Sequence, residues 1–535
     1  GAARITFFVA CLMGALSPAG AQYRRDPSAV ELGEIGSRHA AQIDSARFMR
    51  SWELLSRYPT REIGTPGNEA ATDYIAATFD SVGMQHVTRQ RVTVADARQE
   101  YAYAVLPLED GAFDTIPLRC YAPNFAHTNT IPPGGLKGHL VYSRTGEARE
   151  YNGHEMEGSV LLAEMTVEER WRLASTLGSK AAIFIESPKI TISAQFYTSV
   201  NFPRFWVNRQ DGDSLRAWAA AHPNTEITIH AKQPWRLLTG YSVTGFLPGS
   251  DPVLSREVVV ITAPFDAGSN VPGLAPGAEA AFSSAAQLEL ARIFAKERPP
   301  RSLYFAALNG QRSGVMEGGR VFVQALKQSY PGALRQNLER LRADLRLISD
   351  RKLSGRLPAH RERALALERR LGDVVGNELA TAQRYWDDLQ NARAEYLKGG
   401  AVAEKRTGGA LYYARRVRVG AMEEAAERFK PAFRRALDAC EPLIADYGRL
   451  LEDFVRELEN DRARLKPIVD ADEGKIRTSV AGRLAAARMT DISKALQKFT
   501  RMSPDDHTTR LERLRSDLAL IEPILGRYPA LLIDL

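Results

Sequence analysis

A small set of polar side chains stands at the ends of apolar, strand-like runs, and these are the residues best placed to do chemistry. Val258-Val-Val-Ile-Thr-Ala-Pro-Phe ends in Asp266, and Leu303-Tyr-Phe-Ala-Ala-Leu-Asn-Gly ends in Gln311-Arg312. Between them Glu279 lies in Gly277-Ala-Glu-Ala280 at a helix start, and Asp534 closes Tyr528-Pro-Ala-Leu-Leu-Ile. Carboxylates gathered at strand ends can ligate a divalent cation or exchange protons with a substrate. Catalytic zinc also takes neutral imidazole, and none of the nine His residues, His39, His139, His230 and His507 among them, lies in a ligand-spaced motif. Gln311 can orient a water but cannot take its proton, so general-base catalysis is not available there. Arg312 carries a permanent positive charge. Ser283-Ser284 has no nucleophile elbow and no nearby His, and reads as helix capping.

The layout of these runs resembles the co-catalytic zinc aminopeptidase family that also contains glutamate carboxypeptidase and the transferrin receptor. In that family one strand ends in Ala-His-x-Asp, a loop reads Gly-Ala-x-Asp-Asn-x-Ser-Gly, and a second strand ends in Gly-x-Glu-Glu. Against that pattern Pro264 stands in place of the ligand His and Ala280 in place of the bridging Asp. Gln311 and Arg312 replace the general-base Glu and a ligand Glu. Asp266 matches the carboxylate that orients the ligand His, Glu279 lies one position before the lost bridge, and Asp534 matches the next acidic ligand. An independent stretch, Arg61-x-x-Gly64-Thr-Pro-Gly-Asn-x-x-Ala-x-x-Tyr74 with Gly83 beyond, resembles the family's opening helix. The resemblance implies a metal site whose donors are gone and no cofactor; zinc enters only if displaced ligands drawn from Asp266, Glu279 and Asp534 hold it. One expectation is that Arg312 pairs with Asp266 or Glu279, a cation standing in for the metals; the other is that it points to solvent.

These residues need an α/β scaffold, and the chain divides accordingly. Residues 22–109 give helix, loop, helix and strand: Phe48 to Leu55 is amphipathic, Asn68 caps a helix to about Val82, and Val87 to Val94 alternates. Residues 110–235 resemble a protease-associated insert, with Gly135 to Arg144 as its first strand. Residues 236–332 return to the core, and the apolar β-branched run from Val258 to Thr262 suits a buried strand of a mixed sheet. From 333 to 526 strand signals vanish and Leu recurs at helical spacing, as in Leu334, Leu338, Leu341 and Leu345. Gly399-Gly400, Gly408-Gly409 and Pro431 are expected to break this region into helical hairpins. Residues 527–535 begin another core strand; the family's later elements, with its final ligand His, do not follow, which implies an incomplete core. The fold expected is thus an α/β, mixed-sheet, zinc-exopeptidase-like core carrying an α/β insert and a long all-α region.

Residues 1–21 read as a signal peptide, with Arg4, the apolar run Ile5 to Leu16 and Ala19-Gly-Ala21. Export to the periplasm or cell surface follows, and no later segment reaches transmembrane length. Cys120 and Cys440 can form a disulfide in that compartment or be buried as small apolar groups. The net charge of +7 over 535 residues comes from Arg interleaved with Asp and Glu, a salt-bridged helix surface and not a nucleic-acid footprint. Three functions fit: an exported noncatalytic scaffold, with protein partners reached through 333–526 or a homo-oligomer; a zinc aminopeptidase with displaced ligands; and a peptide-binding module in which Arg312 grips a C-terminal carboxylate.

Overall fold

The computed structural model of the chain describes residues 36–109, 111–187, 200–312, 316–350, 357–403, 409–470 and 480–534. The segment read as a signal peptide lies outside them. A five-stranded sheet runs β1 (Gln85–Ala97), β10 (Trp235–Leu247), β12 (Ser302–Leu308), β11 (Glu257–Pro264), β13 (Tyr528–Asp534). β11 lies parallel to both β12 and β13, while β1 and β10 pair antiparallel. All of β12, and β11 as far as Ala263, is buried, the placement a continuous Val/Ile/Phe run requires. β13 brings chain from nearly three hundred residues downstream against β11, so the segment between is an excursion from one sheet.

A second sheet of eight strands is built from the intervening chain, in the order β3 (Phe113–Pro117), β2 (Tyr101–Pro107), β9 (Glu226–Lys232), β5 (Leu136–Ser143), β6 (Val160–Glu164), β7 (Ala181–Ile185), β8 (Arg204–Val207), β4 (Arg119–Cys120). The strand expected to open this unit, from Gly135, is β5, and three strands precede it. Tyr101–Pro107 alternates exposed and buried, pairs with β9, and draws the start of the unit back to Tyr101.

Helices cover both faces of the five-stranded sheet. On one side lie α1 (Ser45–Ser56), α2 (Pro66–Ser81) and, beyond the shorter α3 (Trp171–Thr176) and α4 (Arg209–Ala221) of the second unit, α5 (Ala278–Lys296). Leu55, Ile75, Phe79, Leu288 and Phe294 pack there on Val243, Val259, Ile261 and Phe305. The other side receives α6 (Glu317–Lys327), α7 (Tyr330–Ser349), α8 (Pro358–Val374), α9 (Ala380–Ala403), α10 (Gly409–Asp470), α11 (Val480–Phe499) and α12 (Pro504–Ile521). Their stripes, including Tyr330, Leu334, Leu338, Phe429, Phe433 and Leu518, form one core with Phe246, Val258, Val260, Tyr304 and Leu308 of the sheet. The helical region is therefore the third layer of the domain.

Two expected helix breaks do not occur. α9 continues through Gly399-Gly400, and α10 runs 62 residues with Pro431, Pro442 and Pro467 inside it. A proline removes one ladder bond and crowds the preceding turn. Here the flanking Phe429 and Phe433 are buried and stack with ring centroids 5.4 Å apart, so packing on neighbouring helices holds the segment helical. Cys120 and Cys440 are both buried and free, one in the second sheet and one in the helical core, with burial pushing each thiol up to about 12. Among the described residues no helix is long and apolar enough to cross a membrane.

Candidate functional site

Parallel pairing sets the ends of β11 and β12 side by side, with Pro264 in register with Leu308. The chain after each strand turns over the same edge of the sheet, so Asp266 meets the segment 309–312. Asp266 is fully buried, and each of its oxygens accepts a backbone N–H: Gln311 N to Oδ1 at 3.0 Å and Arg312 N to Oδ2 at 2.9 Å. Its carboxylate thereby ties the two strand ends together. Charge-assisted bonds to backbone N–H are among the stronger hydrogen bonds a protein makes.

The cation facing Asp266 is not Arg312. Arg312 is exposed, and it meets Asp266 through its backbone N–H. The buried cation is Arg61, at 0 % exposure, whose field and that of Asp266 act on one another. Its Nε donates to Phe265 O at 3.0 Å and its Nη2 to Gly277 O at 2.9 Å; Nη1 reaches the carbonyls of Leu55 and Pro276. Burial draws its pKa down to about 10 against the opposing pull of Asp266. Five donors in a fixed planar fork suit one side chain to several diverging carbonyls. In the sequence Arg61 was legible only as part of the Arg-x-x-Gly-Thr-Pro-Gly string; its four carbonyl partners come from three separate segments, and no local spacing announces them.

The same string places Asn68. Thr65, not Asn68, is the N-cap, with φ −108° and Pro66 beginning the helix, so Asn68 falls in the first turn. There it is buried and forms a reciprocal amide pair with Asn309: Nδ2 to Oδ1 at 3.0 Å in one direction and 2.9 Å in the other. Asn309 also takes a backbone contact from its own end, its N–H donating to Ser242 Oγ at 3.0 Å. We predict that Asn309→Ala destabilises the protein by about 2 kcal/mol, because Asn68 Oδ1 is left buried without the donor it has in Asn309 while Nδ2 keeps only Arg61 O; equilibrium urea unfolding checks this.

The loop at the start of α5 completes the edge. Gly277 has φ +58°, and a Cβ there would lie 2.5 Å from Ala267 Cβ, so the close approach of the two loops requires glycine. Ala280 is buried, whereas Glu279, one residue and about 100° around the helix, is exposed. Ser284 lies beyond the first turn and donates to Pro264 O at 2.7 Å, so it links α5 to β11 and caps nothing. Asp534 stands at the end of β13, in register with Thr262; its side chain lies outside the described residues.

These positions do not fit a pair of zinc ions. Pro264 and Ala280 supply no side-chain donor atom, each oxygen of Asp266 already accepts a backbone N–H, and Glu279 is exposed. Among the described residues no three or more His, Cys, Asp or Glu converge as a metal would require.

No family model matches the chain, and no curated protein does. Among solved structures it is similar to an aminopeptidase from Aneurinibacillus sp. strain AM-1, at 20% identity over 54% of this chain and 67% of that one, with a TM-score of 0.34. It is also similar to a zinc aminopeptidase from Bacillus subtilis, at 18% identity over 53% of this chain and 65% of that one, TM-score 0.38. A Peptidase M28 precursor from Shewanella amazonensis matches at 15% identity over 60% of this chain and 70% of that one, TM-score 0.37. The chain thus spans about two thirds of the length of each of these three proteins.

Proposed function

We propose that this chain is an exported, noncatalytic protein of the zinc-exopeptidase type that acts as a scaffold or interaction subunit. The observation that carries the reading is Pro264: at the end of β11, two residues before the buried Asp266, it has no side-chain donor atom where the family pattern has a ligand His. A metal-orienting carboxylate acts through an imidazole that it holds, and position 264 offers none. Activity has to be argued from the site and not from the fold, and here no general base stands beside a donor set. The chemistry left at this edge is structural, and the work of the molecule falls to its surfaces.

The test is metal content and turnover together. Protein purified without chelators, then dialysed against zinc, is expected to hold far less than one equivalent and to release no amino acid from aminoacyl substrates or short peptides. Near-stoichiometric zinc with turnover would instead establish displaced ligands, Glu279 and Asp534 among them. On export, the mature protein recovered from its native envelope is expected to begin at Gln22.

A second reading rests on Arg312, an exposed residue whose backbone passes close to Gly268 at the edge of the strand ends. An exposed guanidinium can grip a peptide carboxylate in bidentate fashion. In that case Arg312→Glu abolishes binding of peptides with a free C-terminus and leaves the melting temperature within about 1 °C, since an exposed side chain contributes little to stability.

A further inference from the structure

Two helices outrun the layer they belong to. Phe454 of α10 meets Phe499 of α11 at 5.2 Å between ring centroids, and Asp461 meets Arg488 at 3.8 Å, so the pair runs antiparallel in one register toward Asp470. Leu458 and Ile492 are the last residues toward that end to join the buried core shared with the sheet. The neighbouring helices start short of this level. His360, in the first turn of α8, lies against Phe454, and Pro504, which opens α12, lies beside Gly448. From Glu459 to Asp470 no residue is buried and nine of the twelve are exposed, as expected where only one other helix packs alongside. A rise of about 1.5 Å per residue carries that stretch roughly 18 Å past the core.

The end of this arm is both apolar and basic. Leu484 is 67 % exposed, Val480 65 % and Ile468 50 %. Val480 and Leu484 stand one turn apart on one face of α11, and the register sets Val480 level with Val469, next to Ile468. Single exposed apolar side chains are ordinary on any surface, whereas three within two turns of one tip make a patch. The same turns carry exposed Arg462, Arg464, Lys466 and Arg483, of which Arg464 lies 4.0 Å from Asp461. From Arg462 to Leu484 the sequence holds six Lys and Arg against three Asp and Glu, an excess of three positive charges.

We propose that this arm docks the protein on an anionic lipid surface, with Ile468, Val480 and Leu484 entering the headgroup boundary and the neighbouring Arg and Lys side chains meeting lipid phosphates. Surface-seeking helices combine these two contributions, apolar burial at the interface and attraction to anionic lipid. A basic cluster within a Debye length of the bilayer is drawn in by its negative potential. A second copy of the chain is the poorer occupant, because two tips of like charge repel. No helix is inserted across the bilayer in this arrangement; the arm lies on it. The inference goes beyond the noncatalytic reading and stands whether or not the strand ends bind metal.

Flotation of the full chain with vesicles tests it, using phosphatidylcholine with about a third phosphatidylglycerol against phosphatidylcholine alone, at low and high salt. Binding to the anionic vesicles is expected to exceed binding to the neutral ones at least about tenfold and to weaken with salt. Arg462→Glu with Lys466→Glu should weaken it at least about tenfold, since each cation near the surface contributes about fivefold. Val480→Ser with Leu484→Ser should weaken it by a similar factor, about tenfold, through lost apolar burial. All four positions are exposed, so both variants are expected to melt within about 2 °C of the wild-type chain. The apolar run from Ile5 to Leu16 is common to the three proteins, and its binding cancels from the comparison. Equal affinity for the two vesicle types overturns the proposal, as does anionic-vesicle binding that neither variant changes. A wild-type dimer in sedimentation that Val480→Ser with Leu484→Ser dissociates, with no vesicle binding, assigns the tip to a second copy and overturns it too. Should one variant fail to fold, the other decides.

Discussion

Arg61→Met is expected to cost the protein at least about 4 kcal/mol, close to the whole stability of an ordinary domain. The guanidinium satisfies the carbonyls of Leu55, Phe265, Pro276 and Gly277. A buried acceptor left without its donor costs about 1–3 kcal/mol, and neighbouring losses do not add in full because the loops relax together. Asp266 also loses the positive charge it faces. The loop at residues 60–65 and the loop at residues 265–277 are expected to separate, and with them the bridge from Thr60 to Ala275. Arg61→Lys should recover under half of the loss, because a compact ammonium cannot span four diverging acceptors. Urea midpoints for the three proteins decide the matter. A loss below about 1 kcal/mol in Arg61→Met would mean that water replaces the guanidinium and that the edge is not held from within.

That prediction concerns a residue whose role the sequence concealed, and the contrast with neighbouring residues explains why. The runs Val258–Thr262 and Ser302–Leu308 read as buried strands because burial on both faces forces an unbroken apolar composition, and the sheet uses them so. Gly83 closes α2 with φ +76°, a position whose chemistry is local. Asn68, by contrast, has the type of a cap and follows a Pro-Gly turn, yet Thr65 wins the cap because Pro66 fits the first helical position. Arg312 carried the right charge at the right strand end, but its side chain lies at the rim while its N–H serves Asp266. Arg61 reached the interior instead, across about two hundred residues of sequence separation. Helical spacing in 333–526 likewise showed which faces are apolar without showing what they cover; the partner of those stripes is the sheet.

Removing the helical region should therefore unfold the core that remains. Replacing residues 333–526 with a short Gly/Ser linker keeps β13 but strips one face of the sheet, where Phe246, Val258, Val260, Tyr304 and Leu308 now pack on helices. Each such side chain gains about 1.5–3 kcal/mol from burial, so their exposure costs roughly 10 kcal/mol against a total stability of about 5–15 kcal/mol. Glu257 would also lose the hydroxyl of Tyr396, which donates to it at 2.6 Å. The variant is expected to be insoluble, or to bind ANS and melt without a cooperative transition. Within the intact chain Leu338→Ala should cost about 2–5 kcal/mol, since Leu338 is buried in the same core. A soluble deletion variant with a sharp transition would show the helices to be an appendage. If the layer is integral, its apolar stripes are already occupied, and a protein partner must read the polar outer faces, where Arg-carboxylate pairs such as Arg363–Asp453 and Arg370–Asp446 lie. Exposed pairs of that kind contribute little to stability, so charge reversal at Arg363 and Arg370 should leave the melting temperature nearly unchanged while weakening any partner that docks there.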